Sequence, residues 1–206
     1  MVEVVSALAG RLHSGPLGQT ADGTGVTLRE VKGRDLVQVG AWPDTSNRAF
    51  AQVAAELALP EVPDPRAPDG RRSIGNADVT LFRVGPDKVW LTGPYEAGLG
   101  ARLGKLFKAA DAVVTELGHS RTTIRLLGPK TRDVLAQLVA IDLDPARFPP
   151  GSFASTGIHH VGCLVHYARD LAGNPVFDFH LPRSFAASLV EAVEHAALPY
   201  GLSVES

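Results

Sequence analysis

Between Glu116 and Ser152 the chain carries a strand, a tight turn, an amphipathic helix and a stiff descent in immediate succession. That succession limits the folds open to it. From Thr123 to Leu127, Thr123, Arg125 and Leu127 alternate with Ile124 and Leu126, the period-2 pattern of a half-buried strand. Gly128-Pro129 stops it. Pro129 presets its φ and needs no amide donor, which suits the first turn of a helix. Val134, Leu135, Leu138 and Val139 then recur at helical spacing, with Lys130, Arg132, Asp133 and Gln137 on other faces, so a helix is predicted over 129–139. Asp142 to Pro150 holds two acids, an arginine and three prolines, so the chain cannot continue helical there.

The same unit is expected elsewhere. Val26–Val31 and Asp35–Trp42 form strand-like runs joined at Lys32-Gly33-Arg34, a hairpin signal, and a helix over 46–59 follows with Phe50, Val53, Ala54 and Leu57 as its stripe. Thr45 or Ser46 can cap that helix and Pro60 closes it. Asp78–Val84 and Lys88–Thr92 turn at Gly85-Pro86-Asp87 and lead into a helix over 95–110, with Leu99, Leu103, Leu106 and Phe107 on one face. Ala112–Leu117 and Thr122–Leu127 form a third strand pair before the helix at 129–139. Gly162–Tyr167 and Val176–Leu181, turned near Gly173-Asn174, form a fourth, followed by a helix over 182–197 with Phe185, Leu189 and Val193 inward. Strand–strand–helix thus occurs about four times, the mark of a duplicated architecture. A hairpin with one apolar face needs a cover, which the helix supplies. The expected fold class is α+β, with antiparallel sheets covered by helices, in one domain over 26–206 built of two similar halves, about 26–110 and 111–206. Ahead of it, residues 1–25 read as an N-terminal arm and linker: Met1–Leu12 is apolar and Ser14–Gly25 is glycine-rich. Such an arm either docks on a partner or frays. The irregular run Glu61–Gly75 reads as a surface excursion between units, with a partner-facing loop as the alternative.

The formal charge of −2, from 20 basic and 22 acidic side chains, argues against a general nucleic-acid binder. Cys163 is the single cysteine, so neither an intrachain disulfide nor a cysteine-based zinc site can form from this chain alone. Met1–Leu12 has an early Glu3 and a broken apolar run unlike a signal peptide, and no apolar run reaches the about 20 residues that span a bilayer, so a cytoplasmic location is expected, with no membrane partner.

Motifs that could carry chemistry are thin. Gly98-Leu99-Gly100 enters a helix, but Leu103 stands where a dinucleotide fingerprint needs its third glycine. His159 and His160 are adjacent and would face opposite ways on a strand. His166 and His180 could meet if their strands pair, with Asp178 on the same face as His180. Satisfied, partly buried histidines are the preferred reading over a metal site. His119-Ser120 lacks the Gly-x-Ser-x-Gly elbow of a hydrolase and suggests local hydrogen bonds where two strands meet. Cys163, followed by Leu164 and Val165, reads as an inert core thiol. Trp42 and Trp90 read as core anchors, and Asp142 and Asp144 as a solvated turn. No residue is expected to act as a catalyst, cofactor ligand or metal ligand. A good core without an active-site constellation fits a subunit better than an enzyme.

Five blocks of sequence resemble the gamma subunit of heterotetrameric sarcosine oxidase: His119–Leu135, Asp142–Ser152 (D-L-D-P-x-x-F-P-P-G-S), Phe177–Leu189, Arg83–Leu91 and Val26–Val31. They match in order and spacing over nearly the whole chain past the arm. The resemblance implies a fold related to the folate-binding aminomethyltransferase (T-protein) of the glycine cleavage system. It implies alpha, beta and delta subunits as partners. It also implies a structural role, without a catalytic centre, in a complex that demethylates sarcosine oxidatively to glycine, a formaldehyde equivalent or methylene-tetrahydrofolate, and hydrogen peroxide. FAD, FMN, NAD and tetrahydrofolate are then expected on the other subunits and no cofactor on this chain. The T-protein lineage carries a folate-binding acid after a glycine-rich turn. The corresponding run here is R-D-L-A-G-N-P-V-F-D-F, in which Asp170 and Asp178 could be relics. The glycine pair is absent, so the folate role is not carried over. A stand-alone folate-binding one-carbon protein is the alternative function, and a hydrolase built on His119 and Ser120 a third.

Overall fold

The computed structural model describes residues 6–18, 23–67, 71–158 and 160–205. His159 and the first five residues of the arm lie outside this set. In chain order the described elements are β1 (Gly15–Leu17), β2 (Val26–Glu30), β3 (Arg34–Ala41), α1 (Ser46–Glu56), β4 (Ile74–Gly75), β5 (Thr80–Gly85), β6 (Lys88–Pro94), α2 (Leu99–Gly104), β7 (Ala112–Glu116), β8 (Arg121–Leu127), α3 (Thr131–Leu138), β9 (Phe153–Ile158), β10 (Val161–Leu171), β11 (Asn174–Pro182), α4 (Ala186–Ala197) and β12 (Leu202–Glu205). They form two compact units, one of Met1–Lys32 with His119–Ser206, the other of Gly33–Gly118.

The first unit holds a seven-stranded sheet in the order β1-β12-β2-β8-β11-β10-β9, antiparallel except where β12 runs parallel to β2. Its core takes Val26 and Leu28 from β2, Ile124 and Leu126 from β8, Phe177, Phe179 and Leu181 from β11, Val134 and Leu135 from α3, and Leu189 and Val193 from α4. The second unit holds a five-stranded antiparallel sheet, β4-β5-β6-β3-β7, with Val37, Val39, Leu81, Val89 and Leu91 packed with Phe50 and Val53 of α1 and Leu99 and Leu103 of α2.

Two of the four expected hairpins form: β5 pairs with β6, and β10 with β11. The other two do not. β2 and β3 lie in different sheets, as do β7 and β8. The apolar faces explain it, because Val26 and Leu28 belong to one core and Val37 and Val39 to the other. The division at 33 and 118 therefore differs from sequential halves at 26–110 and 111–206: β2 is claimed by β8 and β12 of the later chain.

Helix boundaries moved for local reasons. Thr45 does not cap α1; its hydroxyl donates to Asp111 O at 2.6 Å, drawn to the start of β7. The helix stops at Glu56, ahead of the expected 59, because Ala58 turns left-handed and Leu59 N–H reaches back to Ala54 O. The helix expected over 95–110 is a 3-10 turn at Tyr95–Ala97, a left-handed Gly98, and α2 alone. At Gly128 a side chain is impossible: φ is +127° and a Cβ would stand 2.5 Å from Gly25 O. That close crossing lets Lys130 N–H donate to Gly25 O, and α3 starts after it, at Thr131.

The described part of the arm packs on the first unit. Leu8, only 2% exposed, is part of the first unit's core. Glu30 accepts hydrogen bonds from Ala7 N–H at 3.0 Å, from Thr122 Oγ1 at 2.8 Å and from the Ser6 hydroxyl, while Arg183 Nη2 donates to Ser6 O at 3.0 Å. Within the expected linker, β1 pairs with β12. Leu8→Ala is accordingly expected to lower the unfolding free energy by about 2–4 kcal/mol, as for a core leucine. Urea denaturation followed by circular dichroism measures it; a loss under about 0.5 kcal/mol, the scale of surface positions, would mean the arm is only laid on the surface.

Candidate functional site

The side chains with chemical potential gather on one face of the first unit's sheet. Along β11, Phe177, Phe179 and Leu181 point into the core, so the period of two places Asp178 and His180 on the other face. The register sets their neighbours. Arg125 of β8 and His166 of β10 both lie opposite Asp178, and Thr123 lies opposite His180. Asp178 and His166 are each 7% exposed and His180 2%.

Asp178 is closed by Arg125 in a bidentate pair, Nε to Oδ1 at 2.6 Å and Nη2 to Oδ2 at 2.7 Å. This planar fork matches the carboxylate in geometry and in charge. Burial pushes the Asp178 carboxyl up, but the Arg125 hydrogen bonds and charge, helped by His180 and His166, hold it below the ordinary value. The same hydrogen bonds raise the Arg125 guanidinium despite its burial. His166 is pushed down to about 4, first by desolvation and then by His180 and Arg125, with Asp178 opposing. It is neutral at pH 7. His180 Nδ1 shares a hydrogen bond of 2.8 Å with Thr123 Oγ1.

The pairing His166 and His180 needed to meet thus exists, and Asp178 is beside them. The cation against that carboxylate, however, is a guanidinium: Arg125 takes both oxygens that a metal would need. Among the described residues, no group of three or more His, Cys, Asp or Glu is placed to hold a metal ion. A ligand or proton taken up by Asp178 would compete with this ion pair. Asp170, the other candidate relic, is exposed on β10 and accepts from the Tyr167 hydroxyl.

A second cluster holds the descent after α3. The Arg132 guanidinium lies 4.6 Å from the Tyr167 ring centroid and 5.2 Å from that of Phe177, two rings stacked at 4.7 Å, and its Nη1 donates to Leu143 O. The cation is thereby used as a structural pin between α3, the sheet and residues 142–150.

The remaining candidates separate. His119 and Ser120 are exposed in the turn between β7 and β8, where Ser120 O accepts from Arg183 N–H at 2.9 Å. Gly98-Leu99-Gly100 leads from an antiparallel strand into a six-residue helix, and the Glu116 carboxylate lies where a Gly100 side chain would be. An acid against that turn is the opposite of a phosphate cradle. Asp142 and Asp144 accept from the amides two residues on, at 2.9 and 2.8 Å, as a solvated turn does. Trp42 was expected in the core and is 53% exposed. It stands just past β3, where its carbonyl receives the amides of Thr45 and Ser46, so its ring has left the sheet. Trp90 is half-buried and donates from Nε1 to Gln38 Oε1 at 3.0 Å. Cys163 is in the core, and burial pushes its thiol up to about 12. It is expected to be inert to a thiol reagent at pH 8 in the folded chain and to give one equivalent in denaturant. Rapid labelling of the native protein would contradict its burial.

The partnership of Arg125 with Asp178 was missed by sequence reasoning. Its one trace was an arginine set between Ile124 and Leu126 on a strand, where a charge demands a partner.

No protein-family model matches the chain. No curated protein matches it. Among solved structures it is similar to a chain of the heterotetrameric sarcosine oxidase from Corynebacterium sp. U-96 in complex with pyrrole 2-carboxylate, at 22% identity and a TM-score of 0.74 over 85% of each chain. It is also similar to the glycine cleavage system aminomethyltransferase T from Bartonella henselae, at 16% identity and a TM-score of 0.61, covering 88% of this chain and 48% of that one. The chain thus spans about half of the aminomethyltransferase but an equal share of the sarcosine oxidase chain, whose length is therefore close to its own. Two helix-covered, largely antiparallel sheets give this chain the α+β fold common to both proteins.

Proposed function

We propose that this chain is the gamma subunit of a heterotetrameric sarcosine oxidase and that its role there is structural. The observation that carries the proposal is the likeness, over 85% of both, to a chain of similar length in such an enzyme. The five sequence blocks, His119–Leu135 foremost, agree with it. So does the chemistry of the sheet face, where Asp178 is locked by Arg125 and His166 is held neutral. Groups closed on one another in this way stiffen a subunit and leave bond-making to its companions. In this proposal FAD, FMN, NAD and tetrahydrofolate sit on the alpha, beta and delta subunits, and the complex is cytoplasmic. Among the described residues, no helix is long and apolar enough to cross a membrane.

The gamma chain would stabilise the flavin-bearing chains by binding their folded forms. Co-expression of alpha, beta and delta with and without this chain tests it. Loss of assembly, of bound flavin and of sarcosine turnover is expected in its absence. An active three-chain complex of normal flavin content would rule the role out.

The likeness to the aminomethyltransferase favours a second reading, a folate-binding one-carbon protein acting alone. Calorimetric titration of the purified chain with tetrahydrofolate separates the two: the subunit reading expects no heat of binding at millimolar ligand, and saturable binding would favour the second.

A further inference from the structure

On the helix side of the first unit, an open depression of about 710 Å³ is lined by Ala7, Arg11, Ser120, Arg183, Ser184 and Ser188, with Ala187 at its wall. Two arginines and three serines are among its lining residues, and no carboxylate is among the described ones. The acid that tethers the arm, Glu30, accepts from Ser6, Ala7 and Thr122. Arg183 is positioned by its own backbone, whose N–H donates to Ser120 O, and by one Nη2 contact to Ser6 O. A guanidinium has five N–H donors, so Arg183 keeps donors for the depression. Arg11 is exposed, carried to the rim by the turn that Leu8 anchors in the core.

We propose that this depression is an anion site that takes the phosphate group of a small ligand. The donor set favours phosphate over carboxylate. Arg11 and Arg183, with Ser184 and Ser188 beside them, border one space, and a phosphate offers three strong acceptor oxygens to donors on several sides, where a carboxylate offers two in one plane. The site is independent of the subunit role proposed above: it uses other residues, on the side of the sheet opposite Asp178.

The test is a titration of the full chain with inorganic phosphate, at ionic strength held constant with sodium chloride, followed by amide shifts in heteronuclear NMR. Saturating shifts are expected at the amides of Ser184, Ala187 and Ser188. Arg11→Gln, whose side chain lies at the rim, is expected to raise the dissociation constant about fivefold, the scale of one exposed charge contact. Arg183→Gln is expected to raise it further, and the fold of each variant is checked by circular dichroism. Shifts that never saturate, or that saturate equally in the parent chain and in Arg11→Gln, would overturn the site.

Discussion

Replacing Asp178 with alanine is expected to lower the unfolding free energy by about 3–5 kcal/mol, the range for breaking a buried ion pair from one side. The side chains of Arg125 and Asp178 are 16% and 10% exposed, so removing the carboxylate strands a guanidinium that water cannot easily reach. The loss then comes chiefly from the charge left behind. Removing both, as in Arg125→Met with Asp178→Leu, should recover most of it, because the desolvation of both ions disappears with them. Urea denaturation of the parent, both single variants and the double variant forms the cycle. A single-variant loss below about 1 kcal/mol, as for an exposed pair, would show that the pair is solvated in solution. The pH dependence has a definite sign. Asp178 is held below its ordinary carboxylate value in the folded chain, so the pair's stabilisation is present above that value and is lost as pH falls through the folded one.

His166 sets a separate and higher window. Its value falls from 6.5 to about 4 on folding, so between those limits the unfolded chain binds the proton and the folded chain refuses it. Stability therefore declines as pH drops from 6.5 toward 4, by about 3 kcal/mol for this one group. His166→Gln cannot take up the proton and should remove that part of the slope. Unfolding free energies at pH 7, 5.5 and 4 for the parent and the variant measure the difference. Parallel curves for the two proteins would mean that His166 takes up its proton as readily in the folded chain as in the unfolded one.

Both effects arise from residues that were visible in the sequence in a weaker role. His166, His180 and Asp178 were placed on neighbouring strands, and their meeting depended on whether those strands paired. They do pair, at His166↔Asp178 and Leu164↔His180. Arg125 was seen only as the polar member of an alternating strand, because its partner lies 53 residues away and belongs to β11. Local pattern carries no information about that register. Trp42 shows the opposite error. Its size argued for burial, and a turn of three residues took it out.

By itself the sequence determined what is local. Strand-like runs marked β2, β3, β5, β6, β7, β8, β10 and β11; helical spacing marked four amphipathic helices; Gly128-Pro129 marked the turn into α3; and the apolar company of Cys163 marked a buried thiol. A side chain's period along its own strand or helix is set by backbone geometry within a few residues, and it can be read without knowing any partner. Only the tertiary structure decided which strands share a sheet, that β2 and β3 part company, that β9 and β12 are strands at all, that Leu8 anchors the arm in its own core, and that Asp178 is spoken for. Those outcomes follow from competition among distant apolar faces for two cores. β2 has a strand's pattern whichever sheet it joins, and burial of Val26 and Leu28 beside Ile124 and Leu126 made the choice.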